Sequence, residues 1–474
     1  MVFSSSIFIL AFFPIALLSY FLTNKKYKNL VIVLFSLLFY AWGAPKYVFM
    51  ILGTMMIDFY FAHFIYEAVG KKKQVFLALA LSINIGLLLF FKYANFLVFN
   101  LNHTLHFFGY NPIHFIEVAL PIGISFFTFH EMSYLIDVYR NEKPPLTKIT
   151  DYAVYILFFP QLIAGPIIRF HEIADQIQNR KNNETIDNRL IGFYRFVIGL
   201  SKKVLIANVL GKEADLIFGM QADQLNTTLA WVGTLAYTFQ IYFDFSGYSD
   251  MAIGMARMMG FVFPENFNNP YISQNITEFW RRWHMTLSRW MRDYLYIPLG
   301  GNRVKSKFRL YFNLSFVFLI SGFWHGAAWN FIAWGAFHGF FLILDRIFLI
   351  KWLEKIGKIP SLIFTFLITM IGWVLFRSTS IDMAMLFIKK MFAFNFSISE
   401  VSFNPQFWTI LILAALISFI TISKFGLKLE SYIYYTHYSV RRIYTMSAFC
   451  IILIIFSLGG ITSSGFNPFI YFRF

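Results

Sequence analysis

The 474-residue sequence is 58% hydrophobic and 21% aromatic but only 14% charged, with a mean hydropathy of +0.60. That charge content is well below the roughly 25% typical of a soluble domain, which excludes a water-soluble globular fold and places the chain in a bilayer. The net charge of +16 comes from Lys and Arg in short clusters between apolar runs, a pattern that suits loops facing anionic lipid and not the continuous basic face of a nucleic-acid binder. The single cysteine, Cys450, lies in an apolar run, so there is no disulfide framework.

Ser4 to Leu22 is apolar, has no basic residue before it and is followed by Lys25, Lys26 and Lys28. It reads as an uncleaved span with the N-terminus outside. Leu30 to Trp42 leads to a nearly uncharged turn, Tyr47 to Ala68 returns to Lys71, Lys72 and Lys73, and Val75 to Phe91 crosses outward again. Lys92 to Ile113, rich in Asn and aromatic residues, is then expected outside, and Phe115 to Val138 is expected to return to Arg140, Lys143 and Lys148.

Beyond this point glycine and proline interrupt the apolar runs. Tyr152 to Ile168 contains Phe159-Pro-Gln-Leu-Ile-Ala-Gly-Pro166, whose two prolines remove backbone donors. Such a segment must be buried in protein or face a water-filled cavity. Leu190 to Leu210 and Thr227 to Phe245 resume the apolar pattern, and Phe243-Asp-Phe-Ser-Gly-Tyr-Ser-Asp250 then brings two carboxylates into apolar sequence. Asp244 and Asp250 are expected to pair with a base or to take part in chemistry, with Arg257 and the arginines from Arg281 to Arg303 as candidate partners. Further spans are Leu310 to Ile320, Trp329 to Leu349, Leu362 to Phe376, Phe407 to Ile422 and Met446 to Leu458. The expectation is an all-α polytopic integral membrane protein of roughly 11 to 13 membrane segments, some re-entrant or broken. No repeat or soluble boundary appears, so residues 1–474 read as a single membrane domain with a short aromatic tail, Phe466 to Phe474.

Polar chemistry concentrates between Asn275 and Gly339. Asn275-Ile-Thr-Glu278 reads as an N-cap with a carboxylate three residues on, opening a helix through Trp280, His284, Ser288 and Trp290. A spacing of four puts Trp280, His284 and Ser288 on one face. After the turn at Pro298-Leu-Gly-Gly-Asn-Arg303, His325 and His338 sit inside apolar runs, thirteen residues apart and so facing different directions on an ideal helix. They make no metal pair by that geometry, and the sequence carries none of the HEXXH, CXXC or Walker patterns of a metalloprotease, zinc site or ATPase. A histidine in such a run is either a hydrogen-bonded core residue or a functional base.

Trp280-Arg-Arg-Trp-His284-Met-Thr-Leu-Ser288, Tyr296-Ile-Pro-Leu-Gly-Gly301, Phe323-Trp-His325-Gly-Ala327 and Leu120-Pro-Ile-Gly-Ile-Ser-Phe-Phe-Thr-Phe129 together resemble the membrane-bound O-acyltransferase (MBOAT) family. The resemblance is to its bacterial branch that O-acetylates alginate and peptidoglycan, related to the D-alanyl transfer protein of teichoic acids. It extends over nearly the whole chain, with His130 standing where glutamine is expected. The resemblance implies a bundle around a central tunnel in the bacterial inner membrane. An activated acyl donor, acetyl-CoA or another acyl carrier, would enter from the cytoplasm and an acceptor hydroxyl from the other side. It implies that His325 is the catalytic histidine and His284 the second functional position, and that an extracytoplasmic SGNH-type acetyltransferase completes transfer to polymer. Alternatives are D-alanyl transfer to teichoic acid, a polysaccharide or lipid transporter, and a non-catalytic scaffold. In the tail, Tyr471 is either part of an interfacial anchor or an acyl acceptor, its phenol being easier to deprotonate than a sugar hydroxyl.

Overall fold

A computed structural model describes residues 2–396, 402–434, 439–463 and 466, and every regular element among them is helical. Six helices among the described residues are long and apolar enough to cross a membrane: Pro45–Glu67, Lys71–Phe107, Trp329–Ile356, Lys358–Arg377, Pro405–Ile422 and Val440–Ser463. Phe8–Leu22 is a shorter apolar helix. The chain is a polytopic helical membrane protein. It divides into two compact units, one built mainly from residues 7–189 and 256–263, the other from residues 190–255 and from 264 onward.

In the first unit the Val48–Glu67, Lys71–Leu88 and Ile124–Tyr139 helices pack on one another. The Lys71 helix continues through a π turn at Leu89–Tyr93 to Phe107, 37 residues in all, longer than the ~30 Å hydrocarbon core at ~1.5 Å per residue. The Asn-rich stretch after Lys92 is thus helical as far as Phe107, and its amides tie down the chain that follows. Asn95 exchanges hydrogen bonds with the Val118 backbone at 2.9 and 3.0 Å, and Asn102 with that of Ile113 at 3.0 and 2.7 Å. Two turns apart on one helix face, they serve backbone groups that would otherwise lack a partner in irregular chain. The next helix, expected from Phe115, starts only at Ile124, after Pro121 and Gly123.

The proline-broken segment is buried in protein, as its missing donors require: residues 152–168 are all buried. Helix Ile149–Leu157 ends there, and a single turn at Phe159–Leu162 with Pro160 in its first turn follows. His130 Nε2 accepts from the Ile168 N–H at 3.2 Å and Tyr155 OH donates to the Ile168 carbonyl at 2.9 Å. A glutamine carbonyl oxygen would serve the same donor, which accounts for histidine at this position.

The Ile186–Ser201 helix, which belongs to the second unit from residue 190, runs through a π segment, Lys202–Ala207, into Asn208–Phe218, and the Thr227–Met258 helix, in that unit as far as residue 255, is 32 residues long. Helices Lys307–His325 and Trp329–Leu344 pack closely through glycine. A Cβ at Gly322 would lie 2.3 Å from the Phe331 carbonyl oxygen, and one at Gly335 would lie 2.3 Å from that of Phe318. Small residues let helix backbones approach where lipid offers no hydrophobic drive to association. Cys450 is packed, with none of its surface exposed.

Gly335→Ala is expected to lower the melting temperature in detergent, because overpacking of about 1–3 kcal/mol outweighs about 1 kcal/mol of gained helix propensity. Gly339→Ala, where the nearest atoms to the new Cβ are 3.5 Å away, is expected to leave it unchanged or raise it. Equal melting temperatures for the two variants would contradict this packing.

Candidate active site

The helix expected from Asn275 through Trp290 begins as the sequence suggests but does not run through. Asn275 Oδ1 accepts from the Glu278 N–H at 2.7 Å, and Glu278 reaches back to the Gln274 N–H at 2.9 Å. Asp345, from the π turn after Leu344, accepts from both the N–H and the hydroxyl of Thr277 at 2.8 Å. A carboxylate at a helix N-terminus meets donors that have no partner within the helix. The helix then stops at Arg282, and a second starts at Met285.

His284 sits in the break with left-handed backbone, φ 43° and ψ 53°. The shared face expected for Trp280, His284 and Ser288 is therefore not that of one helix, although the Ser288 hydroxyl bridges the break to the Trp280 carbonyl at 3.0 Å. A non-glycine residue persists in this conformation only where its surroundings hold it. Here residues 266–268 supply what the interrupted helix lacks: the Asn268 N–H donates to the Arg282 carbonyl and the Asn266 carbonyl accepts from Met285, both at 2.9 Å. The Asn266 side chain bonds Thr286 Oγ1 at 2.9 Å and His284 Nδ1 at 3.0 Å. The imidazole is buried and packs edge-on to Phe245 at 4.7 Å, surroundings that disfavour its charged form.

Asn266 also lines a cavity of about 980 Å³ within the second unit. Its polar wall carries Arg195, Lys202, Asp250, Glu265 and Tyr434. Arg195 donates to Asp250 Oδ1 at 3.0 and 2.9 Å and to both oxygens of Glu265, and Lys202 pairs with Asp250 at 2.7 Å. Lys203, on the same π segment, pairs with Asp244 at 2.7 Å. The two carboxylates are thus paired, but with Arg195, Lys202 and Lys203; Arg257 instead donates to Asn188 at 3.1 Å. The i+5 spacing of a π segment shifts side-chain directions within the helix, and such segments occur often at functional sites.

His325 ends its helix, buried, against the rings of Trp324, Trp334 and Phe376 at 4.9, 5.1 and 5.3 Å. Gly326 follows because a Cβ there would strike the Phe331 ring at 2.2 Å. From His325 the rings run Trp334 to Trp373 at 6.2 Å, Trp373 to Trp283 at 4.7 Å and Trp283 to Phe267 at 5.0 Å, reaching the cavity wall. Neither His284 nor His325 lines the cavity: His284 is linked to its wall through the Asn266 amide, and His325 is separated from it by the ring layer. His338 lies on the next helix, also against Trp334 at 5.2 Å and against Trp280 at 5.0 Å. Tyr471 lies outside the described residues. Sequence reasoning missed Asn266, Arg195, Lys202 and Lys203; the lysine pair inside an apolar run was the available signal for the cations.

Buried imidazoles, buried ion pairs and a helix-lined cavity thus lie within a polytopic helical membrane protein. The chain belongs to the MBOAT, or membrane-bound O-acyltransferase, family, whose model matches residues 124–424. It is 43% identical over 431 residues to the probable alginate O-acetylase AlgI of Pseudomonas putida, covering 90% of this chain and 88% of that protein. It is 40% identical to the peptidoglycan O-acetyltransferase of Helicobacter pylori, over 83% of this chain and 80% of that one. With the teichoic acid D-alanyltransferase of Streptococcus thermophilus it shares 32% identity over 49% of this chain and 58% of the other. The protein is an O-acyltransferase, and its reaction consumes an acyl donor.

The Lys203–Asp244 pair is nearly inaccessible, with side chains 2% and 1% exposed. Lys203→Met is expected to destabilise the fold by about 3–5 kcal/mol by stranding a buried charge, and a Lys203→Met/Asp244→Leu double variant to recover most of it. Thermal unfolding in detergent measures both, and a double variant no better than the single would show that the pair is not the cause.

Proposed function

We propose that this protein transfers an acetyl group from a cytoplasmic activated donor, acetyl-CoA or another acyl carrier, toward a hydroxyl of an extracytoplasmic polysaccharide such as alginate or peptidoglycan. The observation that carries the reading is a buried histidine, His325, held at a helix end in an aromatic layer inside the matched family segment. Similarity along most of the chain to proteins named as alginate and peptidoglycan O-acetylating enzymes supports acetyl over D-alanyl, for which the likeness covers half the chain. In this reading the acceptor oxygen attacks the thioester carbonyl, its proton passes to His325, the C–S bond breaks, and the leaving thiolate takes the proton. A positioned base contributes roughly 100- to 10,000-fold to such a step. His284 orients a reacting group near the same centre. The protein lies in the bacterial inner membrane and hands the acetyl group to an SGNH-type partner outside.

His325→Ala is expected to abolish acetyl transfer from labelled acetyl-CoA in proteoliposomes, with insertion and gel-filtration behaviour near wild type. Wild-type turnover by that variant would defeat the assignment; labelling from a D-alanyl carrier alone would replace acetyl with D-alanyl.

Tyr471 is the proposed relay. Phe466 lines the cavity, and the five residues from there to Tyr471 can reach up to about 17 Å. Tyr471→Phe keeps the ring and removes the nucleophile. It is expected to stop O-acetylation of polymer while leaving the protein inserted, as read by mass spectrometry of the product. Unchanged polymer acetylation would make the tail an anchor.

A further inference from the structure

The hydrogen bonds around His284 decide which of its nitrogens carries the proton. A backbone N–H can only donate, and the Thr286 N–H faces the Asn266 side chain at 3.4 Å, with the Thr286 hydroxyl on the same atom at 2.9 Å. The atom they meet is therefore the amide oxygen, Oδ1, and the amide nitrogen is correspondingly turned to Ser249 Oγ at 3.0 Å. Oδ1 has no proton to give. His284 Nδ1, 3.0 Å from that same oxygen, must then be the protonated nitrogen, and a neutral imidazole protonated at Nδ1 has its lone pair at Nε2. Nε2 is buried and has no hydrogen-bond partner among the described residues.

We propose that Asn266 is a positioning residue for the acyl transfer: it fixes His284 as the Nδ1–H tautomer, so that Nε2 accepts a hydrogen bond from a donor group of the bound acceptor other than the reacting hydroxyl, whose proton goes to His325. This rests on the proposed participation of His284 and narrows it. A lone pair cannot stabilise an oxyanion, the thioester carbonyl has no hydrogen to offer, and the reacting hydroxyl gives its one proton to His325, so Nε2 holds a neighbouring donor of the acceptor and thereby aims the reacting oxygen. Asn266 is suited to the task because it is itself immobile. Its carbonyl holds Met285, its side chain holds Thr286 and Ser249, and it is buried at the cavity wall. The charged groups around this pair are Glu265, bound by Arg195; Arg289, which donates to the Glu265 carbonyl at 3.4 Å; and Asp250, held by Arg195 and Lys202.

The test compares Asn266→Ala, Asn266→Asp, His284→Ala and the Asn266→Ala/His284→Ala double variant in proteoliposomes with labelled acetyl-CoA, each checked for folding by gel filtration and thermal unfolding. Asn266→Ala is expected to lower kcat by about 10- to 100-fold, the loss that a misplaced reacting group causes, with KM for the donor within about twofold because the donor's contacts are retained. Added to His284→Ala it is expected to cost nothing further, since residues acting as a unit are not additive. Asn266→Asp keeps an acceptor for Nδ1–H and should retain more activity than alanine. Its carboxylate favours the imidazolium, which lacks the Nε2 lone pair, so the acidic limb of its pH–rate profile should move to higher pH than in wild type. Wild-type kcat in a folded Asn266→Ala, an additive loss in the double variant, or an unmoved limb in Asn266→Asp would each overturn the proposal. If Asn266→Ala does not fold, Asn266→Asp and its pH profile decide alone. Wild-type turnover by His284→Ala would instead defeat the participation of His284 itself.

Discussion

In a protein surrounded by hydrocarbon, every polar group that leaves regular structure must find its partner within the protein, and the break at His284 shows how much sequence that obligation recruits. Interrupting a helix strands carbonyls on one side and N–H groups on the other. Residues 266–268 answer both, Asp345 serves the start of the first short helix, and Ser288 spans the gap. The outcome is an imidazole whose direction is set by its backbone and by one amide, without the freedom that a side chain on an exposed helix face would have. The same rule operates at the proline-broken segment, where His130 and Tyr155 together serve both backbone groups of Ile168.

Charge obeys a stricter form of this constraint, since an isolated ion buried away from water costs more than an isolated dipole. The cavity wall meets it with a connected set: Arg195 between Asp250 and Glu265, Lys202 on the far oxygen of Asp250, and Lys203 turned to Asp244. The π segment at Lys202–Ala207 lets consecutive lysines serve two different acids on the neighbouring helix. A regular helix would separate adjacent side chains by about 100° with the same sense throughout, and the extra residue per turn supplies the adjustment.

Much of this is legible in the amino-acid sequence. Composition places the chain in a membrane, the Asn275 cap is where its pattern puts it, and Phe159 to Pro166 is buried for the reason its prolines imply. What was not legible has a common cause: partners far apart in sequence. Asp250 lies seven residues from Arg257 but binds Arg195 and Lys202, because a helix crossing outranks proximity along the chain. The Asn-rich stretch after Lys92 looks like a solvated loop because asparagine favours turns. Its amides are instead spent on Val118 and Ile113, which no local pattern reveals. His284 looks like a helix-face residue because a spacing of four is also satisfied by two short helices that meet at a left-handed residue.

The aromatic content, 21% of the chain, bears on the chemistry as well as on packing. An activated acyl donor is hydrolysed wherever water reaches it beside a base, so a site for acyl transfer gains by keeping bulk water from the imidazole until a hydroxyl arrives. Trp324, Trp334 and Phe376 surround His325, and Trp373 and Trp283 continue the layer to the cavity. Indoles suit such a wall, each being large, stiff and mostly apolar. The glycines at 322, 326 and 335 follow from the same demand, because rings of this size around a histidine leave room for helix backbones to meet only where side chains are absent. The histidine motifs and the glycines beside them are therefore two parts of one packing solution, an imidazole enclosed by rings and rings accommodated by glycine.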